Sequence, residues 1–150
     1  MGAELVLTDP KLSIAGSVDK ALEIAATSPD YFVPQQFQNP ANPKTHYETT
    51  APELVSQLGR KIDIYVSGIG DGFIPDILDT SIITDIVEVS DEDAINTARE
   101  LARVQGLLVG TSSGANVWAA KKMAEKYGRD KIITTILADR AERYFSTALI

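Results

Sequence analysis

Three short stretches hold most of the side chains able to bind a polar ligand. Ser67-Gly68-Ile69-Gly70-Asp71-Gly72 follows the apolar run from Ile62 to Val66, and its glycines let backbone N–H groups come close to an anion. Glycine-rich turns of this kind are more often plain turns than ligand sites. Thr111-Ser112-Ser113-Gly114 follows Leu108-Val109-Gly110 and opens a helical stretch. Its hydroxyls and free N–H groups either meet a ligand's polar atoms or cap the helix. Gln35-Gln36-Phe37-Gln38-Asn39 offers amides to a carboxylate, or to the backbone of its own loop. The chain has no cysteine and a single histidine, His46, which excludes a disulfide scaffold, a cysteine nucleophile and any Cys- or His-cluster metal site. His46, between Thr45 and Tyr47, has no base or nucleophile near it in sequence and reads as loop packing. Trp118 and Met123 read as core or contact residues, and Asp139-Arg140-Ala141-Glu142-Arg143 as an ion-paired loop. These residues by themselves point to an α/β domain that binds a small anionic ligand, and no further.

The elements that must position these stretches follow from pattern. Short β-branched runs alternate with amphipathic stretches, as in an open, mostly parallel sheet with helices on both faces. Strands are expected at 5–8, 31–33, 62–67, 86–89, 107–109 and 131–137, and in such sheets ligands bind at the carboxyl ends of strands. Thr50-Ala51-Pro52-Glu53 predicts a helix start with a capping hydroxyl, and Gly59 its stop. Ser90-Asp91-Glu92-Asp93 predicts another, with acidic charge at the positive end of the helix dipole, Ala94, Ile95, Ala98, Leu101 and Ala102 facing a core, and Gly106 closing it. Two more helices are expected over 17–27 and 114–127, and a loop over 38–47, where Pro40 and Pro43 lie.

At 150 residues, 44% hydrophobic and 23% charged, the chain has the material for one compact domain. Its net charge of -7 argues against a polyanion-binding surface, since phosphate neutralisation needs clustered Lys and Arg. No apolar run is long enough to cross a bilayer and no secretory leader is visible, so a cytoplasmic protein is expected.

From Gln35 to Pro43 the sequence strongly resembles the cysteine synthase (O-acetylserine sulfhydrylase) family of fold type II pyridoxal-phosphate enzymes. The resemblance continues, in the family's order, through His46, Thr49-Thr50-Ala51-Pro52-Glu53, Gly72-Phe73-Ile74-Pro75, Gly110-Thr111-Ser112-Ser113-Gly114-Ala115 and Glu142-Arg143-Tyr144-Phe145-Ser146-Thr147-Ala148-Leu149. Cystathionine β-synthases share the early motifs, but the ending is more like cysteine synthase. The resemblance implies the C-terminal cofactor domain over 36–150, with 1–35 a remnant of the N-terminal domain. It also implies pyridoxal 5'-phosphate as cofactor, β-elimination from O-acetylserine followed by addition of sulfide to give cysteine, a homodimer, and a complex with serine acetyltransferase. By the same resemblance Ser112 faces the pyridine nitrogen of the cofactor, Gly68 and Gly70 lie next to it, and Asp139 falls near the pyridine edge. Gln36 and Phe37 match residues at the substrate carboxylate. A neutral hydroxyl at the ring nitrogen, unlike an aspartate, does not force protonation there and makes the ring a gentler electron sink.

Departures from the family pattern are equally informative. The Schiff-base lysine and the substrate-binding Thr-Ser-Gly-Asn loop are absent, and residues 1–8 resemble a strand well inside the N-terminal domain, so the start reads as truncated. The family has two similar Gly-Ile-Gly-type triplets, the first leading into its phosphate cradle. Here one such triplet runs straight into Asp71-Gly72-Phe73-Ile74-Pro75, as though the chain between them, with the phosphate cradle, were missing near 70/71. Splicing a strand end onto that loop should leave neighbouring strands unpaired. The 150 residues by themselves are therefore expected to be inactive.

Overall fold

A computed structural model describes residues 2–68, 70, 73–144 and 149. The chain forms two compact units, one of Met1–Lys44 with Asp71–Leu78 and the other of Thr45–Gly70 with Asp79–Ile150.

In the first unit, α1 spans Ser13–Ala25 and buries none of its residues. Asp9 caps the short 3-10 turn before it by accepting from the Lys11 N–H at 2.9 Å. Gln35 takes a positive φ of 54°, and its carbonyl accepts from the N–H groups of Gln38 and Asn39, which closes a turn around Gln36 and Phe37.

α2 spans Ala41–Thr45, a π-helical turn covers His46–Thr50, and α3 runs over Ala51–Leu58. From Ala41 on, the region expected as a loop is therefore helical. Pro43 sits in a first turn, where its missing N–H costs nothing. Thr50 is helical in backbone and caps nothing; its hydroxyl meets His46 Nδ1 at 2.9 Å instead. Pro52 cannot donate to the residue four back, and the wider π turn lies just ahead of it, with the Ala51 N–H reaching the His46 carbonyl. Gly59, in the left-handed region, ends the helix as expected.

The second unit holds the only ladder among the described residues. β1 (Ile64–Val66) and β2 (Ile133–Thr135) pair in parallel, with Val66 opposite Thr135, whose hydroxyl donates to the Val66 carbonyl at 2.8 Å. Between them come α4 (Asp91–Glu100), a π turn over Leu101–Gln105, and α5 (Thr111–Tyr127). Ser90 caps α4 by accepting from the Asp93 N–H at 3.1 Å, and Gly106 closes the stretch with φ 70°. The helices pack so closely that a Cβ on Gly114 would run into the Ala94 carbonyl and the Ala98 amide. Ala98, Val109, Ala141 and Leu149 form the buried apolar cluster, with Ile95, Leu101 and Tyr144 against it. Of the strands expected, 62–67 and 131–137 shorten to β1 and β2, while 5–8, 31–33 and 86–89 are not strands. Val109 makes one isolated antiparallel bridge, to Arg140. β-branched runs report a side-chain preference for pleated surface, and a ladder needs a neighbouring strand as well.

Candidate functional site

Because Val66 and Thr135 are opposite each other, β1 and β2 deliver the segments that follow them to the same edge of the sheet. Ser67 and Gly68 leave β1 exposed, Gly68 with φ 89°, a conformation glycine adopts without strain. Gly70 is also exposed, with open space where a side chain would be. Ile69, Asp71 and Gly72 lie outside the described residues, and with them the join at 70/71.

Four residues beyond β2 stands Asp139, the centre of the best-organised polar cluster in this unit. Tyr144 Oη donates to Asp139 Oδ2 at 2.6 Å, and Ser112 Oγ donates to Asp139 Oδ1 at 3.4 Å. The Gly110 N–H donates to the Asp139 carbonyl at 3.1 Å, and the Ala141 N–H to the Leu108 carbonyl at 3.2 Å, so the loop after β2 is stitched to the turn before α5. Gly110 is the N-cap of α5 and has no room for a side chain: a Cβ there would meet the Asp139 carboxylate and the Tyr144 ring. The hydroxyls of the Thr-Ser-Ser run therefore do not cap the helix, and Ser112 turns to Asp139. The hydrogen bond to Asp139 holds the Tyr144 hydroxyl above its ordinary pKa, with burial and the negative charge acting the same way and Arg143 and Ser112 opposing. Asn116, buried, ties α5 to the end of β2 by donating to the Ile136 carbonyl at 3.0 Å. Ser113 is fully buried, and its Oγ has no hydrogen-bond partner among the described residues.

Sequence reading singled out Ser112 and Asp139, and the fold brings them together. It missed Tyr144, whose only signal was a phenol five residues beyond Asp139 in the loop after β2. Of the ion pairing expected in this loop, the described residues show one pair, Arg140 with Glu142, exposed and 3.8 Å apart. Gln36 and Phe37 belong to the first unit, where Gln36 is exposed and Phe37 stacks edge-on against Phe73, ring centroids 4.9 Å apart. Met123 is buried as expected, while Trp118 is half-buried under the Lys122 ammonium. No cluster of metal-ligating side chains occurs among the described residues, and none of their helices is long and apolar enough to cross a membrane.

The polar cluster of this parallel α/β unit stands beyond the carboxyl end of a strand, which is where open α/β sheets bind their ligands. Its lineage is specific. The family model of pyridoxal-phosphate dependent enzymes matches residues 1–74 and again 67–139, and the chain belongs to that family. Residues 67–74 thus answer to two places in the family pattern. Cysteine synthase B of Campylobacter jejuni is 39% identical over 194 aligned positions that cover 99% of this chain and 64% of the relative. A probable cysteine synthase of Bacillus subtilis is 34% identical over 197 positions, covering 99% and 63%. In crystal structure, the O-acetylserine dependent cystathionine beta-synthase of Helicobacter pylori superposes with a TM-score of 0.91 at 31% identity, covering 99% of this chain and 63% of its own. The chain thus spans slightly under two thirds of these relatives. An alignment of 194 positions against 150 residues also means that the Campylobacter protein carries a substantial segment inside the matched span that this chain lacks.

Pyridoxal phosphate is the cofactor of this family, and the residues present fit one edge of it. Ser112, Asp139 and Tyr144 form a half-buried polar cluster suited to a ring nitrogen. The covalent anchor does not fit. Lys121, Lys122, Lys126 and Lys131 pair with Glu100, Glu125, Asp85 and Asp63 on the surface, Lys20 pairs with Glu23, and Lys11, Lys44 and Lys61 are exposed.

Proposed function

We propose that residues 36–150 are the larger part of a cysteine synthase cofactor domain, and that the protein of which the chain is part replaces the acetate of O-acetylserine with sulfide. In that reaction the Cβ–O bond breaks and acetate leaves, a Cβ–S bond forms with hydrosulfide, and the α-proton departs and returns. No atom is oxidised or reduced overall. The bound cofactor supplies the electron sink for the α-carbon. Ser112 and Asp139 hold its ring edge, Gly68 and Gly70 pass beside it, and Gln36 and Phe37 receive the substrate carboxylate and its neighbourhood. Residues 1–35 are then the remnant of the other domain and 36–150 the cofactor domain. The observation that supports this best is the double match of residues 67–74, which is what a chain joined across two similar glycine triplets produces. The family also suggests a cytoplasmic homodimer able to bind serine acetyltransferase. With no lysine at the ring edge and no phosphate cradle, the chain alone is inactive.

The likeness to the O-acetylserine dependent cystathionine beta-synthase of Helicobacter pylori supports a second reading, in which O-acetylserine is kept and homocysteine replaces sulfide. Both are tested by a chimera in which the segments this chain lacks are supplied from the Campylobacter protein. Cysteine formed from O-acetylserine and sulfide is the expected product. Cystathionine from homocysteine would establish the second reading, and no turnover with either nucleophile would overturn both.

A further inference from the structure

Resting on the reading of residues 67–74 as a join, we infer that the outward edge of β1 is a docking site for one parallel strand and its crossover helix, supplied as a separate polypeptide. The Ile64 N–H donates to the Ile132 carbonyl at 3.1 Å and Thr135 Oγ1 to the Val66 carbonyl at 2.8 Å, so Ile64 and Val66 turn their backbone groups towards β2. Successive residues of a strand turn these groups to opposite edges. The N–H and carbonyl of Tyr65 therefore face away from β2, and no strand pairs with them among the described residues. Two strands are fewer than a stable sheet needs, and parallel strands are normally covered on both faces. α5 packs against β1 and β2, and Ile64 and Val66 are half-buried, yet Tyr65 between them points to the other face and is 51% exposed. A second extended run of this unit, 107–109, makes one isolated bridge and no ladder, and its Leu107 and Leu108 are exposed. This sheet is short of a strand.

The size of the occupant follows from the Campylobacter match, which runs over 194 positions for 150 residues, so that at least 44 of its positions lie opposite gaps in this chain. The double match of residues 67–74 points to the end of β1 as the place where they belong. A strand-helix-strand unit takes about 30 residues or more, so 44 positions hold a crossover helix and the strand that returns from it. Consecutive strands are usually neighbours, and one edge of β1 is already taken by β2. The outward edge is left. The chain superposes on the Helicobacter structure over 99% of its length with a TM-score of 0.91 without those positions, so it has not closed over their place.

The test adds a peptide of those positions of the Campylobacter protein to the 150-residue chain and follows amide hydrogen exchange by NMR. The expected result is exchange at the Tyr65 N–H slowed at least tenfold at saturating peptide, with Ile64 and Val66, already bonded to β2, little changed. Tyr65→Pro removes the outward donor at a position where an edge strand tolerates proline, and should abolish docking while β1 and β2 stay paired. Two peptides N-methylated on alternate residues of the docking strand keep the test decisive if that variant folds poorly, because one phase faces β1 and fails to bind while the other binds. A peptide that does not bind, that leaves Tyr65 unprotected, or that binds equally in both phases overturns the inference. Turnover by the chimera is a separate readout, so the reading of the nucleophile stands or falls without it. Slow exchange at Tyr65 in the chain alone, rising with its concentration and accompanied by a dimer mass, would put a second copy on this edge and overturn the segment as its occupant.

Discussion

α4 and α1 are both short amphipathic helices, yet α4 buries Ala94, Thr97 and Ala98 while α1 buries nothing. The difference lies in what each finds opposite its apolar face. α4 meets α5 at Gly114, where the absent side chain lets two backbones touch. In α1 the apolar stripe is only partly covered, with Ile14 and Leu22 still 37% and 42% exposed. Capping and periodicity make a helix, and burial of its stripe requires a partner surface.

The comparison breaks most severely at Gly114. Gly114→Val places methyl groups into the Ala94 backbone and should cost on the order of 3 kcal/mol, read as a lower urea midpoint. A smaller loss is expected at the start of α4, where Ser90→Ala removes the cap to the Asp93 N–H and should cost about 1 kcal/mol. Leu22→Ala in α1 should cost less than either, about 0.5 kcal/mol, because its side chain is 42% exposed and belongs to no buried cluster. A loss of 2 kcal/mol there would mean that α1 is packed against something the described contacts omit.

Tyr144 adds a pH dependence to the α4–α5 side of the comparison. Its folded pKa is raised, so the folded state holds that proton more tightly than the unfolded state does. The stabilisation is complete below the unfolded value near 10 and is lost as pH rises through the folded value. Thermal midpoints should therefore fall above about pH 10, and the fall should be shallower in Asp139→Asn.

Much of the second unit was legible in the sequence because its signals are local. Ser90 with Asp93, Gly59 and Gly106 each mark an element end by a hydrogen bond or a backbone conformation that the residue itself dictates. The missing strands were not legible, since the runs at 5–8, 31–33 and 86–89 carry the right side chains but have no ladder partner among the described residues. Thr50 misled for a related reason: a hydroxyl before Pro-Glu is a cap only if the chain turns there, and the helix from Ala41 passes straight through. Ser112 and Asp139 were read from family resemblance, whereas Tyr144 emerged only when the loop after β2 folded back onto Gly110.

Under the proposed function, this chain keeps the ring edge of a pyridoxal-phosphate site without the residue that would hold the cofactor covalently. Incubation with pyridoxal phosphate, borohydride reduction and peptide mapping test it directly. The expected result is scattered, substoichiometric labelling spread over the eight lysines, Lys11, Lys20, Lys44, Lys61, Lys121, Lys122, Lys126 and Lys131. One lysine labelled to stoichiometry would contradict it.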